Sequence, residues 1–398
     1  MSLRLFHQSG HCANWNRDSF EKDRVGNGII FSPVHETCTN VSEYSKKLKS
    51  ASLFDPQFYL PSSQKQKLQS YSFFPNTIMG EKGFSTIDFM AVSYEAAKRC
   101  VAFQLDNNFL EIIIPARFYE YFDEKYIDGQ SQQFVHPFLE EIKKQDPLGS
   151  KKVLLTVPMT ASMVNSNEYK NKILNWITSY PEIDGVYMFC QHERGTKQIN
   201  DLTFLTQYMD VIKASHDADL EVLVGYSNTE SLLYTLAGEI SLTVGAFENT
   251  RMFSLDKFIV TDGERRGPKA RIYLPKLLNW INFDEAKILK ERFPQIWKKV
   301  YTESDASKAA FEQTKEPTFN SPILYKHYFK VFSNQINVLS SLNPQGRYQQ
   351  LNTWIDEAIE LHAEISGEAF KLDKHGNGEH LGTWSNAIRI FAQSNGLV

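Results

Sequence analysis

One rhythm recurs through the middle of the chain: a short β-rich apolar run, a polar turn, then a segment whose apolar residues return at helical spacing. Runs such as Val153-Leu154-Leu155-Thr156-Val157 and Val222-Leu223-Val224 are almost continuously apolar. Strands of that kind are covered on both faces, the condition of a parallel sheet with crossover helices. Eight such runs fall at 28–33, 57–60, 110–116, 152–158, 185–191, 221–226, 240–246 and 270–274. Helices are expected between them at 41–50, 86–103, 131–144, 167–179, 201–215 and 229–236. In 167–179, Tyr169, Ile173, Trp176 and Ile177 share one face while Lys170, Asn171 and Lys172 turn outward.

Eight strands alternating with helices fit an α/β fold of the (β/α)8 TIM-like barrel type better than an open doubly wound sheet. The open sheet usually carries a glycine-rich turn after its first strand, and Phe31-Ser32-Pro33-Val34-His35-Glu36 holds no G-x-G-x-x-G. The predicted organisation is a barrel over 1–293 and a helical C-terminal region over 294–398. There, Leu324, Tyr328, Val331, Phe332, Gln335 and Leu339 form one stripe, and Leu351, Trp354, Ile355, Ala358, Ile359 and His362 another. Two connections, 61–85 and 247–269, exceed the usual loop of about two to six residues. They read either as specificity loops at the barrel mouth or as inserted hairpins.

With 398 residues, 42% of them hydrophobic, the chain can bury a large core. Its 43 Lys+Arg against 47 Asp+Glu leave a net charge of −4, so no global basic footprint marks it for a polyanion, though a local patch remains open. No apolar run approaches the roughly 20 residues that span a bilayer, so no membrane association is expected. The first residues, Met1-Ser2-Leu3-Arg4-Leu5-Phe6-His7-Gln8, do not read as a secretory signal, and a cytoplasmic location is the expectation. Cys12, Cys38, Cys100 and Cys190 form no C-x-x-C pair and are expected as reduced thiols.

A barrel gathers the C-terminal tips of its strands at one mouth, and that geometry selects the candidates. The densest tip is Gln191-His192-Glu193-Arg194, where His192 and Glu193 offer acid/base chemistry and Gln191 and Arg194 offer substrate contacts. A solvated helix-capping loop is the alternative. Phe247-Glu248-Asn249-Thr250-Arg251 is the second, with Glu248 as nucleophile or base and Asn249 and Arg251 as binding residues. Arg265-Arg266-Gly267-Pro268-Lys269 adds cations to the same loop. Asp55-Pro56-Gln57-Phe58-Tyr59 offers a carboxylate whose backbone the proline holds extended, or else a strand-entry turn. Arg117 and Tyr226 complete the set of binding candidates. His7, His11 and His35 lack the spacing of a metal site, and no metal and no cofactor is expected. A G-x-S-x-G elbow and a Walker A loop are also missing from the sequence.

The stretch Val222-Leu223-Val224-Gly225-Tyr226, a helix over 229–236, Ala237-Gly238 and then 240–251 ends in acid-Asn-Thr-Arg. This resembles the late barrel repeats of the tRNA-guanine transglycosylase superfamily. The resemblance is limited to that part of the barrel, and the cysteine-rich zinc site of the family has no counterpart. It implies a nucleophilic acid after the corresponding strand, an aspartate in the family and nearest here Glu248. The expected function is therefore a barrel enzyme using carboxylates at its mouth, a transferase or hydrolase of the transglycosylase-like type. It would act on the glycosidic bond of a nucleoside or nucleic-acid base. The alternative is a non-catalytic barrel serving as a binding subunit of a larger assembly, with the C-terminal helices meeting the protein partner.

Overall fold

A computed structural model describes residues 2–80, 85–123, 125–193, 197–260 and 267–398. Eight parallel strands form one sheet: β1 (Arg4–Gln8), β2 (Gly28–Phe31), β3 (Leu53–Phe54), β4 (Ile112–Ile114), β5 (Val153–Thr160), β6 (Gly185–Gln191), β7 (Glu221–Val224) and β8 (Ser241–Gly245). Their order, β3-β2-β1-β8-β7-β6-β5-β4, curls the sheet into a TIM-like barrel with β3 and β4 at the seam. Two backbone hydrogen bonds bridge that seam, Leu110 N–H to Ser52 O at 2.9 Å and Phe118 N–H to Tyr59 O at 3.0 Å. β1 lies between β2 and β8, with Arg4 opposite Ser241 and Gln8 opposite Gly245. At the start of β2 a side chain on Gly28 would strike the carbonyl of Ala51, so only glycine lets the chain entering β3 pass this closely.

Three expectations about the strands are corrected. β1 was not anticipated, because Arg4, His7 and Gln8 make its sequence look polar. All three are satisfied inside the protein: Arg4 pairs with Glu111 at 3.2 Å and Glu221 at 3.1 Å, the His7 ring bonds Val25 O at 2.9 Å, and Gln8 accepts from Tyr187. The run 57–60 is a turn beyond β3, its Tyr59 buried against Phe253 and Phe258 at the mouth and its Phe58 against Phe73, Phe74, Phe89 and Phe138. The run 270–274 belongs to β9 (Arg271–Leu274), which pairs antiparallel with β10 (Asn279–Asn282) outside the ring. Lys276 goes with it, into the hairpin turn. The hairpin is apolar because it has a core of its own, where Ile272, Leu274 and Ile281 pack with Phe283, Leu289, Trp297 and Ile365.

Around the ring lie α1 (Ala13–Glu21), α2 (Ser93–Asp106), α3 (His136–Gln145), α4 (Asn167–Ile177) and α5 (Leu202–Asp217). The amphipathic faces read from the sequence turn inward; in α4 the buried residues are Ile173, Trp176 and Ile177. After β7 the helix expected at 229–236 is short, an α-helical turn over Ser231–Tyr234 and a 3-10 turn over Thr235–Ala237, and the C-terminal helices α6 (Pro322–Ser340), α7 (Pro344–Gly367) and α8 (His380–Ser394) pack over this side. α6 packs on α1 and on β9, while α8 packs on α5 and α7. No helix among the described residues is long and apolar enough to cross a membrane.

α7 is pinned to the barrel by one fully buried guanidinium. Arg347 donates to Leu339 O at 2.9 Å and to Thr235 O and Gly238 O at 3.0 Å, and it pairs with Glu239. Arg347→Met should lower unfolding stability by about 3–5 kcal/mol, because it strands buried carbonyls and a carboxylate together. The urea midpoint measures this, and a midpoint unchanged from wild type would refute it.

Candidate active site

The most densely bonded titratable group at the mouth is Asp55. It directly follows β3, where its N–H bonds Phe31 O at 3.1 Å, and its side chain is fully buried. Oδ1 accepts from the Gln57 N–H at 3.0 Å and from the Tyr59 hydroxyl at 2.8 Å. Oδ2 lies 3.4 Å from the hydroxyl of Tyr226 and 3.5 Å from that of Tyr187. Amides set the direction of these hydroxyls. Gln57 donates to Tyr226 at 3.0 Å, leaving the Tyr226 proton for Asp55, while Tyr187 also reaches Gln8 Oε1 at 3.1 Å. Gln57 is itself held by the Val34 N–H at 3.0 Å.

The backbone is shaped for this cluster. Gln57 and Tyr226 sit at φ 57° and 48°, in the left-handed region that non-glycine residues seldom occupy, and such strain gathers at functional sites. Beside Tyr226, a side chain at Gly225 would collide with the Tyr187 ring. Glycine there lets the second tyrosine reach the carboxylate.

The connection after β8 closes the mouth from above. Phe253 packs on Phe189, Phe118, Tyr59 and Tyr226 with ring centroids 4.6–5.4 Å apart, and Phe258 lies 5.3 Å from Tyr59. The covering segment is tied down at two points. Ser63 donates to Phe258 O at 2.6 Å, and Gln191 Oε1 accepts from the Leu255 N–H at 3.2 Å. It also delivers Lys257, whose ammonium lies 4.2 Å from the Tyr226 ring centre and donates to Met252 O at 2.9 Å.

Burial pushes the Asp55 carboxyl up to about 7 against the pull of Tyr59, the Gln57 N–H and Tyr226. Enclosure likewise brings the Lys257 ammonium down to about 7, with the Asp55 charge opposing. Both groups therefore change protonation near neutrality, and the Lys257 ammonium feels the Asp55 charge. Such a pair can deliver a proton, remove one, or present a carboxylate to a developing cation.

The other sequence candidates lie elsewhere on the mouth. Tyr226 joins Asp55, and Gln191 holds the covering segment. Glu193 is exposed, and His192 bonds Asp201 at 3.3 Å and packs on Phe204. Glu248 and Asn249 are exposed; Glu248 pairs with Lys197, which together with Arg251 and Arg271 outweighs the cost of burial and holds its carboxyl below the usual range. Arg251 is buried over Trp280. Arg117 stacks on Tyr119 at 4.6 Å, its backbone clasped by Gln130. Arg194, Arg265 and Arg266 lie outside the described residues. Tyr187, Gln8, Phe253 and Lys257 were not anticipated. A sequence signal existed for Tyr187 alone, as an aromatic inside an apolar strand two residues before Phe189. Among the described residues no three His, Cys, Asp or Glu side chains gather into a metal-holding group. Comparison with models of known protein families, with curated proteins and with solved structures returned no match.

Proposed function

We propose that the chain is an enzyme whose chemistry runs through Asp55, transferring or hydrolysing the glycosidic bond of a nucleoside or nucleic-acid base. The observation that carries this reading is a carboxyl poised near 7, in reach of three tyrosine hydroxyls and walled by aromatic rings at a barrel mouth. Breaking a glycosidic bond needs a carboxylate beside the sugar carbon as positive charge develops, and a proton for the departing base. Asp55 supplies the first and the Lys257 ammonium the second, leaving the anomeric carbon to water in hydrolysis or to an incoming base in transfer. Aromatic walls such as Phe253, Phe189 and Tyr226 suit a flat heterocycle, and the amides of Gln57 and Gln8 suit its polar edge. A cytoplasmic setting belongs to the same reading.

The test incubates the protein with nucleosides and with DNA and RNA oligonucleotides, with and without labelled free bases, and follows base release and base incorporation by mass spectrometry. Wild type should turn over at least one of these substrates. Asp55→Asn, with an unchanged circular dichroism spectrum, should do so about 10²-fold or more slowly. Absence of turnover across the panel, or equal turnover by the variant, would refute the proposal.

A further inference from the structure

A second polar cluster lies where the connection after β8 meets the β9–β10 hairpin. Arg251 is 6% exposed, and its guanidinium stands 4.1 Å from the ring centre of Trp280 and 5.4 Å from that of Tyr328. The two rings are themselves 4.5 Å apart. Arg251 forms no ion pair among the described residues, and its Nε and Nη1 have no acceptor. The Trp280 indole N–H, the Asn279 amide nitrogen and the proton of the Tyr328 hydroxyl, whose oxygen faces the Arg251 guanidinium, likewise have no acceptor, all on residues that are essentially buried. Buried donors are almost always satisfied, and a lone exception is unremarkable. Here two such residues, Trp280 and Tyr328, stand over one buried guanidinium, with Asn279 next to Trp280 in β10, and together they describe a place built to receive oxygen atoms.

The neighbouring charges show how it is occupied. Gln198 ties Asn279 to the β6 connection at 3.2 Å, and the adjacent Lys197 carries the carboxylate of Glu248. Glu248 is the exposed partner, its side chain 45% accessible against 19% for Lys197, and it also feels the charges of Arg251 and Arg271. A protein carboxylate thus rests on the outer cation, while the inner cation has no ion-pair partner among the described residues, the nearest buried carboxylate being Glu230, whose charge is felt at Tyr328.

We propose that this cluster is a phosphate-binding site, in which a phosphate group displaces Glu248 from Lys197 and takes its oxygens inward to Arg251, Trp280, Tyr328 and Asn279. Phosphate fits better than a carboxylate because its oxygens point in four directions, matching donors that come from several elements. The site opens on loops that follow the barrel strands, so the phosphate belongs to a ligand entering at the mouth.

The test titrates inorganic phosphate into the full chain by calorimetry at fixed ionic strength set with chloride, with acetate as a second arm. Wild type should show saturable phosphate binding and none for acetate. Glu248→Gln, a surface change, should tighten phosphate severalfold by removing the competing carboxylate. Arg251→Gln should weaken it roughly tenfold or more, the loss of a charge-assisted bond. Lack of saturable binding in wild type, equal binding of acetate, or unchanged or weaker binding by Glu248→Gln would overturn the assignment, even if Arg251→Gln failed to fold. Binding is read without turnover, so its outcome is separate from that of the Asp55 assay.

Discussion

Acidification from pH 6.5 to pH 4 should unfold this protein. Four imidazoles are buried in the native state, His7, His327, His362 and His380, and burial lowers each from its ordinary value, to about 4 for the first three and about 3 for His380. Three of them spend a ring nitrogen on a backbone carbonyl: Val25 for His7, Tyr273 for His327 and Leu277 for His362. In the unfolded chain all four take up protons near 6.5. Their contribution to stability is therefore complete above that pH and is lost as pH falls toward the native values. Each adds a slope of about 1.4 kcal/mol per pH unit in that window. Asp55 acts in the opposite sense: its raised native value stabilises the fold as pH drops below 7, and the buried Glu36 and Glu111 do the same in part. The net loss comes to about 2–4 kcal/mol per pH unit, against a total stability of about 5–15 kcal/mol for a typical protein. Urea midpoints at pH 7.5, 6 and 5 measure it. A midpoint at pH 5 equal to that at pH 7.5 would show that these histidines do not govern the acid limb.

Asp55→Asn should cost turnover about 10²–10⁴-fold, the usual worth of a positioned acid or base. The fold should survive, because the asparagine carbonyl still accepts from Tyr59 and the Gln57 N–H. Stability above pH 7 should even rise relative to wild type, since the substitution removes a carboxylate that burial opposes. In wild type the reactive form is the ionised Asp55 with the protonated Lys257, and both groups lie near 7. The profile of kcat/KM should therefore be a bell centred close to neutrality, its limbs belonging to the pair. The residual activity of the variant should lose the acidic limb. A wild-type profile that stays flat from pH 6 to 8.5 would remove Asp55 and Lys257 from the chemistry.

The class of fold was legible because parallel strands under helices betray themselves as unbroken apolar runs, as in β5, β6 and β7. β1 was hidden for the converse reason. Its polar residues are satisfied by partners elsewhere in the fold, Gln8 by Tyr187 within the ring, Arg4 by Glu111 and Glu221, and His7 by Val25 and Asn16 under the outer helices, and that satisfaction is tertiary. The hairpin strand β9 imitates a barrel strand because it too is buried on both sides, by helices that follow it in the chain. At the mouth, Tyr226 could be read from its place at a strand tip, whereas Asp55 was expected at the entry of a strand over 57–60 and instead follows the short strand Leu53–Phe54, too brief to stand out in sequence. Lys257 and Phe253 could not: they lie in a long connection with no periodicity, and only its path over the mouth gives them meaning. Glu193 and Glu248 look equivalent to Asp55 in sequence. They differ in what covers them, and cover is set by a loop from the other side of the ring.

The placement of β1 has a consequence for how the chain is made. Its partner β8 is synthesised more than two hundred residues later, and the helix that shields their outer side, α6, later still. A nascent chain emerging from the ribosome therefore carries its first strand half-paired until Ser241–Gly245 has been made, and the ring can shut only in the later part of synthesis. Slow, late closure of this kind leaves sticky edges exposed to neighbours, so efficient production will depend on something that guards the growing polypeptide until its ends meet.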